Sequence, residues 1–321
     1  MILTVTCNPA LDCTMVLSAP LAGGVNRAAR QTIRCGGKGV NVSAMLRALG
    51  LDSTATGFSA GFTGEALERE VRRMGVFPDF VRLKTGLTRV NVKLRGEGET
   101  EVNAPGPAPD EEERSALAAK TAALGDGDVL VLAGTVPHGM PGDWYARLLA
   151  PLKNRNVLTV VDAEGDLLRT ALPCRPFLVK PNREELAALL GAGMESLDDV
   201  RAGALRVREM GARNVLVSLG PQGSLLADET GAVRYLPAPR PSGAVRCLPA
   251  PDGRVRGAVG SGDSMVAGFL AGWLDRHDYA WAQRMGTAAG SATAFSDGLA
   301  GSARVQEVLR TMDEAALSPQ E

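Results

Sequence analysis

Apolar residues in this chain gather in short blocks separated by stretches of helical period. Residues 2–6 (ILTVT), 129–133 (VLVLA), 157–161 (VLTVV), 177–180 (FLVK) and 215–219 (VLVSL) are brief runs rich in Val and Leu. Such runs suit parallel strands buried on both faces. Residues 38–49, 63–75, 110–124, 142–154, 183–190 and 198–211 carry the spacing of helices. Asp110 with Glu113 reads as a capping box, and Asp198 as a cap for the helix that follows it. Strand–helix alternation of this kind predicts an α/β layer fold with a mostly parallel sheet.

Two segments break the rhythm. Residues 12–34 and 88–103 alternate polar and apolar positions, as in TRVNVKL (88–94), which predicts antiparallel strands with one wet face, a small sheet covering the site. GAVRYLPAP (231–239) recurs as GAVRCLPAP (243–251), differing only at Tyr235 against Cys247. Its prolines argue against interior strands and for a tolerated surface insertion. After Gly301 the pattern predicts one more helix, then a disordered tail over 313–321. The rest, 1–312, reads as one domain carrying the two cover segments.

Composition narrows the function classes. The 321 residues can bury a large core, and 35 Lys plus Arg against 36 Asp plus Glu recommend neither nucleic acid nor a membrane surface. No apolar run approaches the roughly 20 residues of a membrane helix, and the start MILTVTCNPALD lacks the basic prefix of a signal peptide. Five scattered cysteines without a CxxC pair argue against a disulfide framework or a zinc site and point to a reducing cytoplasm. With only His138 and His277, far apart, a His-centred triad is a poor candidate.

Chemistry concentrates in a few stretches. In CGGKGVNVSAML (35–46), Gly36, Gly37 and Gly39 let the backbone approach a ligand, with Lys38 and Asn41 near a helix N-terminus; the alternative is a simple strand-to-helix turn. Asp12 follows the first strand, where open α/β sheets bind ligands, or serves a turn. Arg27, Arg89 and Lys93 put positive charge on the cover, a receptor for a phosphorylated substrate if they converge. Asn182 and Glu185 suit a hydrated magnesium ion, or an ordinary capping box, or both. SLGPQGS (218–224) either lies against a nucleotide or forms a hairpin. In GAVGSGDSMVAGF (257–269), Gly260, Ser261 and Gly262 precede Asp263 at a helix start. That is either a capped turn or an anion nest with a carboxylate beside it, kept ionised by the helix dipole.

Together these stretches resemble the ribokinase-like carbohydrate kinases, in particular the phosphofructokinase-B branch. NPALD, GGKGVNVS, GFTGE, TRVNVK, LAGTVP, VKPNREEL, VSLGPQG, VGSGDSMVAGF and AAGSATAF follow one another in that family's order over roughly residues 2 to 312. The resemblance implies a three-layer α/β/α sandwich with a β-sheet lid that often builds a homodimer. It implies ATP and magnesium as cofactors and a ketohexose monophosphate as acceptor: fructose 1-phosphate giving fructose 1,6-bisphosphate, ahead of tagatose 6-phosphate or fructose 6-phosphate. It makes Asp263 the base and the amides of Gly260, Ser261 and Gly262 the anion hole. Asp12, Gly37, Lys38 and Asn41 would hold sugar hydroxyls, and Arg27, Arg89 and Lys93 the substrate's phosphate. Lys180, Asn182, Glu185, Ser218, Gly220 and Gly223 would address ATP and magnesium, with Gly290 near the adenine. The chain departs from the family where Gly257 and Ala258 replace an Asp or Asn and a Thr, at a monovalent-cation and nucleotide contact. A non-catalytic relative that binds nucleotide or sugar phosphate is the competing reading. A Rossmann dehydrogenase is excluded because no GxGxxG follows the first strand.

Overall fold

The computed structural model of the chain describes residues 1–18, 23–96, 98–239 and 259–317. Gly257, Ala258 and the second copy of the repeat lie outside the described residues. In chain order the elements are β1 (Ile2–Thr6), β2 (Ala10–Leu17), β3 (Ala28–Gly36), α1 (Lys38–Ala48), β4 (Thr54–Ala60), α2 (Gly61–Arg73), β5 (Phe77–Pro78), β6 (Val81–Leu83), β7 (Arg89–Arg95), β8 (Glu99–Val102), α3 (Glu111–Ala122) and β9 (Val129–Ala133). They continue with α4 (Trp144–Leu149), β10 (Leu158–Asp162), α5 (Gly165–Ala171), β11 (Leu178–Val179), α6 (Arg183–Leu190), α7 (Leu197–Glu209), β12 (Asn214–Ser218), β13 (Ser224–Ala227), β14 (Val233–Leu236), α8 (Ser261–Arg276), α9 (Tyr279–Ala294) and α10 (Ser302–Leu317).

The apolar blocks become the centre of a ten-stranded sheet in the order β14-β13-β12-β11-β10-β9-β1-β4-β5, with β6 also on β4. From β12 across to β4 all neighbours are parallel, and β13 and β14 finish one edge antiparallel. Alternate strand residues point to opposite sides. Leu3, Val5, Leu130, Leu132, Val179 and Val215 pack against α3 to α7 through Leu117, Tyr145, Leu168, Leu186 and Val207. Ile2, Val129, Val131, Leu178 and Leu216 pack against α1 and α8 to α10 through Met45, Phe269, Ala288 and Val305. The result is the three-layer sandwich. Among the described residues no helix is long and apolar enough to cross a membrane.

The two alternating segments meet in a second sheet, β3-β2-β7-β8, the lid. Its centre corrects the antiparallel expectation, because β2 and β7 pair in parallel, Asp12 opposite Asn91. β2 follows β1 and β7 follows β6, so both leave the body in the same direction, and only their partners β3 and β8 return antiparallel. Register puts Asp12, Arg34, Arg89, Asn91 and Lys93 on one face and Cys13, Ile33, Val90, Val92 and Val102 on the other.

Two local expectations are also corrected. Helix α7 is capped by Ser196, whose Oγ accepts from Asp199 N at 3.1 Å while Ser196 N donates to Asp199 Oδ2 at 2.8 Å; Asp198 is a first-turn residue. Helix α10 runs on to Leu317, past the start of the expected tail, because Val305, Val308, Leu309 and Met312 anchor it to the sandwich. The first copy of the repeat forms β14, an edge strand against β13, consistent with its exclusion from the interior. The capping box of Asp110 and Glu113 is present as expected. Ser196→Ala should lower unfolding free energy by about 1 kcal/mol, whereas Asp198→Ala should change it by no more than ~0.5 kcal/mol, as measured by urea denaturation.

Candidate active site

The order of the sheet decides where a site can form. From β1 the chain crosses to β4 on one side and later returns to β9 on the other, so a crevice opens at the carboxyl ends of these strands. Asp162 ends β10, Lys180 follows β11, Ser218 ends β12, and Asn8 follows β1. Two helices point their first turns at the same crevice: α1, beginning at Lys38, and α8, beginning at Ser261.

Asp263 lies buried in the first turn of α8, behind Gly260, which takes a left-handed φ of 82°. The opening turn of a helix carries backbone N–H groups without helical acceptors, and its dipole favours an anion. Asn41 Nδ2, one turn into α1, donates to Asp263 Oδ2 at 2.8 Å. Gly262 brings the turn against a cation: a Cβ there would stand 3.1 Å from Lys180 Nζ. Lys38, Asn41, Lys180, Asp263 and the GSG turn therefore share one site.

A residue that the motifs do not single out joins them. Asp162 is 1 % exposed, and its Oδ1 faces both Lys38 Nζ at 3.3 Å and Lys180 Nζ at 3.6 Å. Its Oδ2 is buried with no hydrogen-bond partner. Lys38 Nζ also lies 3.9 Å from Glu185 Oε1. Burial disfavours the Lys38 charge, but Asp162, Glu185 and Asp263 outweigh it and lift the pKa above its ordinary value. Asp263 goes the other way from the dipole argument. Burial, then repulsion from Asp162, push its carboxyl up from 3.8 to about 6, against the Asn41 hydrogen bond and the charges of Lys38 and Lys180.

Asn182 and Glu185 form the reciprocal cap of α6, Glu185 N donating to Asn182 Oδ1 at 2.7 Å and Asn182 N to Glu185 Oε2 at 2.8 Å. That use of Asn182 Oδ1 leaves Glu185 Oε1, near Lys38, and the buried, unpartnered Asp162 Oδ2 as carboxylate oxygens outside the cap. Among the described residues no three His, Cys, Asp or Glu side chains gather as a metal cluster.

At the lid end Asn91 Nδ2 donates to Asp12 Oδ1 at 2.9 Å. Asp12 is thus not a turn residue but the third residue of β2, close enough to Gly36 that a Cβ there would strike its carboxylate. Gly37, at φ 130°, lets α1 start against Thr6 and Pro9. Arg89 donates from Nε to the Asn8 carbonyl at 3.1 Å and from Nη1 to that of Ala104 at 3.3 Å. Burial lowers its pKa, with Asp12 opposing, and it stays charged at any ordinary pH. Lys93, on the same face, is buried and paired with Glu101 at 3.1 Å. Arg27 is not brought to this place. It is exposed just before β3, seven residues from Arg34, roughly 23 Å of extended chain.

Past α6, SLGPQGS forms a hairpin, with Ser218 pairing to Ser224. Ser218 and Asn182 form a parallel bridge beside the crevice, and Gly220 opens the short helical turn that follows. Two glycines have packing reasons instead. A Cβ on Gly223 would run into the backbone of Leu236, Pro237 and Ala238, and one on Gly290 would stand 3.1 Å from the Ser261 carbonyl. Gly290 is buried in α9 where that helix packs on the start of α8.

Asp162 was within reach of sequence reasoning. The rule that drew attention to Asp12, a carboxylate at a strand's carboxyl end, applies better to VVD (160–162). Asn91 follows from period two, sharing a face with Arg89 in TRVNVK.

A sandwich of this strand order with a second, small β-sheet is the ribokinase-like architecture. The sequence profile described as pfkB family carbohydrate kinase matches residues 7–305. A 1-phosphofructokinase of Bacillus subtilis is 37% identical over 309 residues, 96% of this chain and 97% of that protein. A D-tagatose-1-phosphate kinase of Bacillus licheniformis is 31% identical over 93% of this chain and 94% of its own length. The crystal structure of Escherichia coli phosphofructokinase-2 in complex with fructose-6-phosphate matches with a TM-score of 0.85 at 29% identity, over 97% of this chain and 99% of that one. The chain belongs to the pfkB family of carbohydrate kinases, and so to the phosphotransferases.

The raised pKa of Asp263 carries a stability consequence. A carboxyl that binds its proton more tightly folded than unfolded costs stability while ionised, and the cost fades as pH falls through the folded pKa of about 6. Asp263→Asn should therefore raise the melting temperature over wild type at pH 7 to 8, with the gap closing toward pH 4, as read by calorimetry across pH.

Proposed function

We propose that the protein transfers the γ-phosphoryl group of ATP, with magnesium, to a hydroxyl of a ketohexose monophosphate, converting fructose 1-phosphate to fructose 1,6-bisphosphate. The observation that carries this is the meeting of Asp263 and its Asn41 hydrogen bond with the GSG turn and Lys180 in one crevice. The identity to a named 1-phosphofructokinase along nearly the whole chain supports the choice of substrate.

In this reading Asp263 accepts the proton of the attacking hydroxyl as its oxygen bonds to phosphorus and the bond to the departing ADP breaks. Asn41 holds Asp263 in place. The first-turn amides of α8 and the Lys180 ammonium face the charge on the transferring group, where fixed donors act most strongly. Lys38, held by Asp162 and Glu185, adds a second fixed cation. Asp12, oriented by Asn91, accepts from sugar hydroxyls, and Arg89 and Lys93 make the basic wall for the phosphate already on the sugar. Asp162 Oδ2 and Glu185 Oε1 fit a hydrated magnesium ion, which takes oxygen ligands and keeps several waters. When bound, the ion would neutralise charge on the phosphates.

The lid's apolar face suits pairing with a second copy: Ile33 is 57% and Val102 58% exposed there. A partner seated on it makes the protein a homodimer. No nucleic acid or membrane enters this reading, and the cytoplasm supplies both substrates.

The kinase reading is tested with purified protein, MgATP and a panel of hexose phosphates, following ADP. Fructose 1-phosphate should give the highest kcat/KM, and the profile should climb with pH through about 6 and then level as Asp263 loses its proton. Asp263→Asn should lose roughly a thousandfold in kcat with sugar-phosphate affinity kept. Rapid turnover by that variant would remove Asp263 as the base. Separately, Ile33→Asp should shift the protein from dimer to monomer in sedimentation; a wild-type monomer would end the lid-pairing proposal.

A further inference from the structure

One cation of the lid's polar face is turned away from the sugar site. Arg34, opposite Asp12 in the β2–β3 register, donates from Nη1 to the backbone carbonyl of Asp297 at 3.1 Å, across 263 positions of sequence. Asp297 lies in the tight turn that follows α9. The turn closes by Ser296 N to the Thr293 carbonyl at 3.0 Å and Gly298 N to the Ser296 carbonyl at 3.1 Å. Gly298 has a φ of 101°, and a Cβ there would collide with Arg34 Nη1, so a glycine is what admits the guanidinium.

The same turn is fastened to the start of α8. Ala300 N donates to Thr293 Oγ1 at 3.2 Å, and Thr293 Oγ1 shares a hydrogen bond with Ser264 Oγ at 2.8 Å. Leu299 presses on the anion-binding turn, since a Cβ on Gly260 would stand 2.8 Å from Leu299 Cδ2. A continuous path thus runs from the lid through Arg34, Asp297 and Leu299 to Gly260 and the helix that carries Asp263. A guanidinium donating to a carbonyl is a charge-assisted bond, stronger than a neutral pair.

We propose that Arg34 is a positioning residue that latches the lid to this turn, so that closure over the sugar phosphate and the setting of the phosphoryl site are one event. The inference rests on the kinase reading above for its kinetic consequence, but not for the latch itself. With the latch absent, the lid opens more readily and the turn behind Gly260 loses its outer brace. Sugar-phosphate binding and coupling of ATP use to the acceptor suffer, while the nucleotide end of the crevice, built on β11, β12 and α6, does not.

The test uses Arg34→Ala, Arg34→Lys, Gly298→Ala and the Arg34→Ala/Gly298→Ala double variant, each checked for its melting temperature. Arg34→Ala should raise the sugar-phosphate KM about tenfold and increase acceptor-independent ATP hydrolysis, with the KM for ATP within about twofold of wild type. Arg34→Lys should recover part of the loss. Gly298→Ala should reproduce Arg34→Ala by expelling the guanidinium, and the double variant should be no worse than either single one, the signature of one shared interaction. Hydrogen exchange on the ligand-free protein should show residues 28–36 and 295–300 losing protection together in Arg34→Ala. Additive effects in the double variant, equal rises in both KM values, or unchanged exchange at 295–300 would overturn the latch. A wild-type protein that makes no ADP with any hexose phosphate would instead refute the kinase reading, and the exchange data would still judge the latch.

Discussion

The active crevice depends on one carboxylate oxygen shared by two ammonium groups. Lys38 comes from α1 and Lys180 from the end of β11, and both converge on Asp162 Oδ1 at the end of β10. Buried cations need a counter-charge, and without one they neutralise or leave. Asp162 supplies it from a rigid position, fixed by the parallel pairing of β10 with β9 and β11. Around Lys38 the count does not stop at neutrality, because Glu185 and Asp263 add two more carboxylates. The cluster by itself is net negative. A proton on Asp263 relieves that excess, and so would the magnesium ion proposed here. Burial is the larger cause of the raised Asp263 pKa, and the charge imbalance, through Asp162, is the second.

That imbalance explains why the site opposes the stability of its own fold. A carboxylate buried beside another carboxylate is destabilised, and Asn41, Lys38 and Lys180 oppose that by favouring its charged form. The surroundings offset this with neutral order. Gly37 and Gly39 allow α1 to begin against Thr6, and the buried Ser264–Thr293 bond pins α8 to α9. The charged groups sit at strand ends and first turns.

Much of this was legible in the sequence, for reasons that differ by region. Uniformly apolar blocks identified the parallel strands because strands covered on both faces have no polar side to show. Strand ends and glycine-rich helix starts marked Asp12, Lys38, Asn41 and Asp263 because those positions expose backbone donors and side chains to one crevice. What stayed hidden depended on distance in the chain. The parallel pairing of β2 with β7 is set by where each strand leaves the body. The paired state of Lys93 depends on Glu101 across a hairpin. The packing roles of Gly223 and Gly290 depend on backbones that sequence order does not bring near. Arg27 was misplaced for the same reason: charge type was readable, but its height along the lid was not.

The lid shows how far one sheet can serve two ends. Its polar face carries Asp12, Asn91 and Arg89, while its apolar face leaves Ile33 and Val102 in solvent. A sheet of four strands with a dry, exposed face has little core of its own, so its position over the crevice must be imposed by contacts at its root and along its edges. At the root, Leu11 and the half-buried Cys35 pack into the small core of Val40, Leu67, Val71 and Phe80. Along β3, Arg34 reaches the turn after α9. Held at its root by that core and along β3 by Arg34, the lid is tied to the same turn whose Leu299 presses on Gly260 at the start of α8.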